Sequence, residues 1–278
     1  MSPTRTCLPD AQRAVRVGDL IYAAGMRPAL PTLALALASA LAAAACRADA
    51  DELGGIFYDG DGRLVHCALN LDSSAGNSLE SIDRGLDRAA ERGEVIELYA
   101  HRPGGTVPLE KIAHVLAGAA ERGLAFVTYR DFAGGGGLGP GLALSFDDSG
   151  VADWLTARPL FLQYGARVTF FVSRYHVLTD DARAQLRALA ADGHELAGHT
   201  VDHLRAPRYV EEFGLAAYVA EQALPSIDVL RAEGYEVTSF AYPFGARTGE
   251  IDRALGRHVP VLRSVAFPFP GPTSPCPN

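Results

Sequence analysis

Gly141-Leu-Ala-Leu-Ser-Phe-Asp-Asp148 is the stretch from which the fold is read. Its nearly unbroken apolar part, Leu142 to Phe146, is too short for a helix and describes a strand buried on both faces. Two carboxylates follow at its carboxyl end, where α/β sheets place their chemistry. Similar runs recur on either side: Leu64–Leu69, Val95–Ala100, Ala125–Tyr129, Val168–Val172, Glu195–Ala197, Val237–Tyr242 and Val261–Ala266. Helical patterns separate them. Leu79, Ile82, Leu86 and Ala89 share one face between Ser78 and Gly93, and Ile112, Val115, Leu116 and Ala119 run between Pro108 and Gly123. A third pattern, Leu186, Leu189 and Ala190, closes at Gly193. Strands alternating with helices imply a parallel α/β sheet, and eight of them predict a (β/α) barrel. One connection departs from the pattern. Residues 133–141 are nearly all glycine, leave no room for a helix and read as a flexible linker.

Composition adds exclusions. Hydrophobic residues are 48% and charged residues 21% of the 278, which excludes wholesale disorder. A net charge of −8 without a basic stripe excludes an electrostatic nucleic-acid binder. The four cysteines, Cys7, Cys46, Cys67 and Cys276, form no CxxC motif and are too few for a disulfide scaffold.

Met26-Arg-Pro28 precedes an apolar run from Ala29 to Ala45, with Cys46 directly after. A charged start, a short hydrophobic stretch and small residues before a cut site describe a signal peptide over 26–45. The run is too short and Ala-rich to be a good membrane span. Residues 1–25 do not look like a signal and are read as an untranslated or mis-started leader. Ala43-Ala-Ala-Cys46 resembles a bacterial lipobox, with Ala43 where leucine is preferred. Two readings stay open: lipidation of Cys46 with membrane attachment, or plain cleavage beside an incidental cysteine. The expected location is periplasmic or membrane-anchored, otherwise secreted. Residues 46–54 are then a linker and 55–278 one domain.

Asp147 and Asp148 cannot both be buried cheaply as ions, so a cation or a proton would have to relieve the pair. In isolation, two solvated turn acids before Gly150 would be the favoured reading. His199-Thr-Val-Asp-His203 changes the balance. Its imidazoles at i and i+4 share a face if the segment turns helically, and both then reach one zinc-like ion. His194 and His258 lack such a partner and are read as structural or surface residues.

Four segments together resemble a known family. Ser145–Asp148, Val168–Val172, Gly193–His203 and Phe240-Ala-Tyr-Pro-Phe-Gly245 match, in order and approximate spacing, the polysaccharide deacetylases. This is the NodB homology domain of carbohydrate esterase family 4, and the resemblance covers about residues 141–267. It implies a distorted (β/α) barrel of about seven or eight parallel strands. The implied activity is metal-dependent removal of acetyl groups from N-acetylated, less often O-acetylated, polysaccharide or cell-wall glycan. By the same resemblance Asp147 is the catalytic base, and Asp148, His199 and His203 hold the metal, most often Zn2+, with Co2+ or Ni2+ as alternatives. Phe244 would supply an oxyanion donor, with Tyr242 beside it at the substrate.

The family's late strands, with an Asp-containing segment and a catalytic histidine, are missing after Phe244. They resemble residues 64–133 instead. Glu94–His101 looks like the strand that delivers the general acid, His101, and Asp72 stands where the supporting aspartate belongs. The inference is a circular permutation whose junction is the 133–141 linker. Cys67 and Cys276 would flank the new opening, where a disulfide would staple it. Ala241 occupies the place of the family's base-orienting arginine, and Arg247 or another side chain is left to substitute. The usual tryptophan near Asp72 is absent; Trp154 lies in an insertion after Asp148. The alternatives are a catalytically weak carbohydrate-binding barrel and a hydrolase of another non-peptide amide.

Overall fold

Seven parallel strands close into a barrel in the computed structural model, which describes residues 49–267 and Cys276. The signal, lipobox and leader readings fall outside those residues. The wall is formed by β2 (Val65–Asn70), β3 (Val95–Ala100), β5 (Gly141–Asp148), β6 (Thr169–Val172), β7 (Glu195–Gly198), β8 (Ser239–Ala241) and β9 (Val261–Val265). Their order is β3-β2-β9-β8-β7-β6-β5, and β5 returns to β3 to complete the ring. Two short strands sit beside the wall at its lower end. β1 (Phe57–Tyr58) pairs antiparallel with the start of β3, and β4 (Ala125–Val127) pairs parallel with the start of β5.

Strand periodicity sorts the residues of β5 between two environments. Leu142, Leu144 and Phe146 join the core shared with the surrounding helices, whereas Ala143 belongs to a second cluster with Phe171, Ala197, Ala241 and Val261. Ser145 and Asp147 follow Ala143 on the inward side. Tyr58, Tyr129 and Phe132 plug the lower end, with the Phe132 ring stacked on His66 at 4.3 Å. Buried charge in the interior is partnered. Glu195 accepts from the hydroxyls of Ser239 and Thr169 at 2.7 and 2.8 Å and from the Arg130 N–H. Burial still pushes its carboxyl above the ordinary value.

The helices carry the expected caps. Ser78 accepts from the Ser81 N–H to start α1 (Leu79–Arg92), and Gly93 ends it at φ 70°. Leu79 is 41% exposed, so the buried face is carried by Ile82, Gly85, Leu86 and Ala89. α2 (Leu109–Glu121), α3 (Val151–Tyr164), α4 (Asp180–Ala191), α5 (Ala206–Phe213), α6 (Leu224–Ala232) and α7 (Gly249–Leu255) follow. The glycine segment contains no long helix, although a single turn, Tyr129–Phe132, precedes it. Gly141, read as linker, is the first residue of β5. A Cβ there would lie 3.0 Å from the Ala125 carbonyl oxygen and 3.3 Å from Val95, so three strands converge at that glycine.

Cys67 on β2 and Cys276 form a disulfide. The bond links the first wall strand to the end of the chain across a sequence separation of 209 residues. Cys67→Ser is expected to lower the stability to urea by about 2–4 kcal/mol. Dithiothreitol should cost the wild type a similar amount and leave the variant unmoved.

Candidate active site

The upper rim of the barrel gathers side chains from both halves of the sequence. Tyr99, His101, Asp147, Asp148, His199, His203 and Phe244 line one pocket of about 150 Å³. Asp147 and Asp148 end β5, His199 directly follows β7, and His101 directly follows β3. The expected base, ligands and acid are therefore brought together.

Three of them form a donor set. The ligand atoms of Asp148, His199 and His203 all lie within 4.8 Å of one another. His203 Nε2 is 2.9 Å and His199 Nε2 is 3.6 Å from Asp148 Oδ1. That oxygen is buried and makes no well-aligned hydrogen bond. His199 donates from Nδ1 to the Ala241 carbonyl at 2.9 Å, which leaves Nε2 to face the carboxylate. An orphaned carboxylate oxygen between two imidazole nitrogens fits a divalent cation of the zinc type. Burial pushes the Asp148 carboxyl upward, but bonds and charge from both histidines outweigh it and hold the group far below the usual range.

The two histidines do not share a helix face. Residues 199–203 form a loop in which Thr200 and His203 are left-handed, at φ 67° and 60°. The His203 N–H donates to Thr200 Oγ1 at 2.9 Å, which curls the loop back on itself. Gln222 clamps it from a π-helical turn, Tyr218–Ala223. Its carbonyl accepts from the Val201 N–H at 3.0 Å and its side chain pairs with both the N–H and the carboxylate of Asp202.

His101 stands opposite this set. Asp72 bonds to its Nδ1 and also accepts from the His101 N–H at 3.2 Å and the Thr106 hydroxyl at 2.7 Å. Burial alone would lower the imidazole pKa; Asp72, Asp147 and Asp148 outweigh it and raise the group to about 9. Trp154, buried in α3, donates its indole N–H to the His101 carbonyl at 2.9 Å and stacks on Phe170. Its helix thus supports the histidine from behind.

The arginine beside Asp147 is Arg263, which the sequence reading missed. It lies on β9, is fully buried, and bonds through Nη2 to Asp147 Oδ1. The rings of Tyr99 and Phe171 each lie 4.9 Å from its guanidinium. Arg247 was the residue named as a substitute, but it pairs with buried Asp252 of α7. Tyr242 also departs from expectation. It is fully buried, donates its hydroxyl to Asp252 at 2.8 Å and does not line the pocket. Phe244 does line it, in a left-handed conformation at φ 60°.

Residues 137–258 match the family model described as polysaccharide deacetylase. They belong to that family. The polysaccharide deacetylase segment holds Asp147, Asp148, His199, His203 and Phe244; His101, Asp72 and Arg263 lie outside it. Gellan lyase of a Bacillus species is 32% identical over 129 residues, which are 46% of this chain and 5% of that protein. The chain thus spans a small fraction of that relative's length. Among solved structures, IcaB from Ammonifex degensii shares the fold, with a TM-score of 0.53 at 18% identity. The match covers 64% of this chain and 92% of IcaB. The Streptococcus pyogenes deacetylase PplD in complex with acetate is 17% identical over 74% of this chain and 91% of its own, with a TM-score of 0.39.

Removing one partner of the buried pair leaves the other uncompensated. Arg263→Met is expected to destabilise the fold by about 3–5 kcal/mol in urea unfolding. Its divalent-metal stoichiometry should stay at the wild-type value, whereas Asp148→Ala and His199→Ala should lose the metal by equilibrium dialysis.

Proposed function

We propose that the protein is an exported, metal-dependent hydrolase that removes acetyl groups from an acetylated glycan, with N-acetyl amides as the preferred bond. The observation that carries this reading is the convergence of Asp147, Asp148, His199, His203 and His101 in one pocket. Family membership of residues 137–258 supports carbohydrate deacetylation as the reaction class. In this reading the chain order is circularly permuted, with the acid-bearing strand ahead of the glycine segment and the metal ligands after it. Lipidated Cys46 would tether it to the membrane.

Asp148, His199 and His203 would hold the cation, with zinc favoured by two imidazoles and one carboxylate. When bound, it supplies Lewis acidity toward the acetyl carbonyl and lowers the pKa of water. Asp147, fixed by Arg263, accepts the proton of the attacking water. The ring of Phe244 borders the pocket, and its backbone N–H is assigned to the developing oxyanion. His101 is held protonated by Asp72 and donates to the leaving nitrogen, so that the C–N bond breaks to a neutral amine. Asp72 acts through His101 and is a positioning residue.

The test is acetate release from acetylated glucosamine oligomers by residues 46–278. Release should stop with a chelator and return with zinc. Asp147→Asn and His101→Ala should keep the metal and lose at least about 100-fold in kcat, the usual worth of a general base or acid. Full activity in His101→Ala would remove it from the mechanism. A raised pKa means that His101 is charged at neutral pH and loses its proton as pH rises toward about 9. Activity should therefore fall on the alkaline side at or below that pH, because a neighbouring cation moves the limb downward. His101→Ala should lack that limb.

A further inference from the structure

A glycan chain has to leave the catalytic pocket, and the surface beside it provides a route. At about 150 Å³ that pocket is well below the usual size of a site enclosing a whole small ligand. A second groove of about 420 Å³ adjoins it, and His203 and Phe244 line both. The far wall comes from α5 and the residues just before it. Leu204 and Phe213, both in this wall, are 40% and 57% exposed. The Phe213 ring packs on Tyr209 at 4.8 Å, and Tyr209 is tied by its hydroxyl to Glu221 at 2.6 Å. Phe213 is thus a buttressed aromatic surface facing solvent. Arg205 lies over the Phe244 ring at 4.6 Å, and Arg208 also lines the groove.

We propose that this groove binds the sugar unit next to the one being deacetylated, so that the enzyme acts on chains in preference to single sugars. The inference rests on the deacetylase reading above and extends it to chain length. A pyranose ring has an apolar face, which suits Phe213 and Leu204, and an oxygen-bearing edge, which accepts hydrogen bonds from Arg208. Charge narrows the occupant further. Two arginines against the single carboxylate of Glu212 leave the lining cationic. An already deacetylated neighbour carries an ammonium group and is disfavoured there, whereas a neutral acetylated unit is not. Continuity with the catalytic pocket through His203 and Phe244 sets the occupant as the same chain that presents the acetyl group.

The test measures kcat/KM on N-acetylglucosamine and on its β-1,4-linked tetramer. The wild type should favour the tetramer by at least about tenfold, the equivalent of one well-placed aromatic contact. Phe213→Ala and Arg208→Ala should each reduce that ratio severalfold, and Phe213→Trp should retain it. Unfolding midpoints equal to the wild type would show that the loss is local. An unchanged ratio in Phe213→Ala would overturn the proposal. Should the metal-loaded wild type release no acetate from either substrate, the deacetylase reading fails separately. The groove is then decided by calorimetric binding of the intact tetramer. Binding weakened about tenfold by Phe213→Ala supports it; no binding, or equal affinity in both proteins, overturns it.

Discussion

The parallel pairing of β3 with β5 is the constraint on which the site depends. Six register pairs run from Val95↔Gly141 to Ala100↔Phe146. The next residue on each strand is His101 and Asp147, so closure of the barrel delivers these two side chains to neighbouring places on the rim. No local motif could do this, because the strands come from opposite sides of the glycine segment. The pairing needs a glycine at 141, where β3, β4 and β5 crowd together. It is reinforced at the rim by Trp154, which reaches from the helix after β5 to the backbone of His101. The helix packing and the site geometry are therefore coupled through one hydrogen bond.

A barrel interior with charged residues also has to be neutralised from within. His66 faces Glu97 at 3.0 Å, Glu195 collects two hydroxyls and an N–H, and Arg263 faces Asp147. Removing such ions from water costs several kcal/mol each, and mutual attraction offsets this only where geometry and hydrogen bonds are good. Arg263 gains two aromatic faces in addition to the carboxylate. The arrangement holds Asp147 by an arginine on β9, although Ala241 on β8 fills the position expected to carry one. Charge complementarity inside the barrel is satisfied by whichever inward-facing strand position can reach.

These particulars explain what could be read in advance. All eight expected strands exist, because apolar runs bounded by glycine and helix caps are local signals. Asp147, Asp148, His199, His203, His101 and Asp72 were legible because a family resemblance preserved their order around strand ends. Arg263 was not, since an arginine within Val261-Leu-Arg-Ser-Val265 has no motif to mark it. A signal was present all the same: a charge at an inward position of an otherwise apolar strand requires a buried partner. Arg247 and Tyr242 were misplaced for a related reason. Their partner, Asp252, sits one helix further on, and only the packing of α7 reveals that it takes both. The helical reading of His199 and His203 failed because side-chain spacing says nothing of backbone sign, and two left-handed residues give the same convergence.

Those left-handed residues follow from where the sheet stops. Asp148, Thr200, His203 and Phe244 all have positive φ, although none is glycine and Thr200 is β-branched. Each such conformation costs on the order of 1–3 kcal/mol and persists only where the surroundings over-determine it. The ladders β5–β6 and β6–β7 end at Asp148↔Val172 and Val172↔Gly198. Beyond them, Ser173 N–H donates to the Asp148 carbonyl at 2.8 Å, His199 N–H to Val172 at 3.1 Å and Arg174 N–H to Thr200 at 3.3 Å. These bonds continue the strand pairing for one more step after regular geometry has ceased. The rim is thereby rigid without being regular, and its donors can turn inward instead of alternating. A glycine would relieve the strain at Asp148 or His203, but it would remove the ligand atom for which the strain is held.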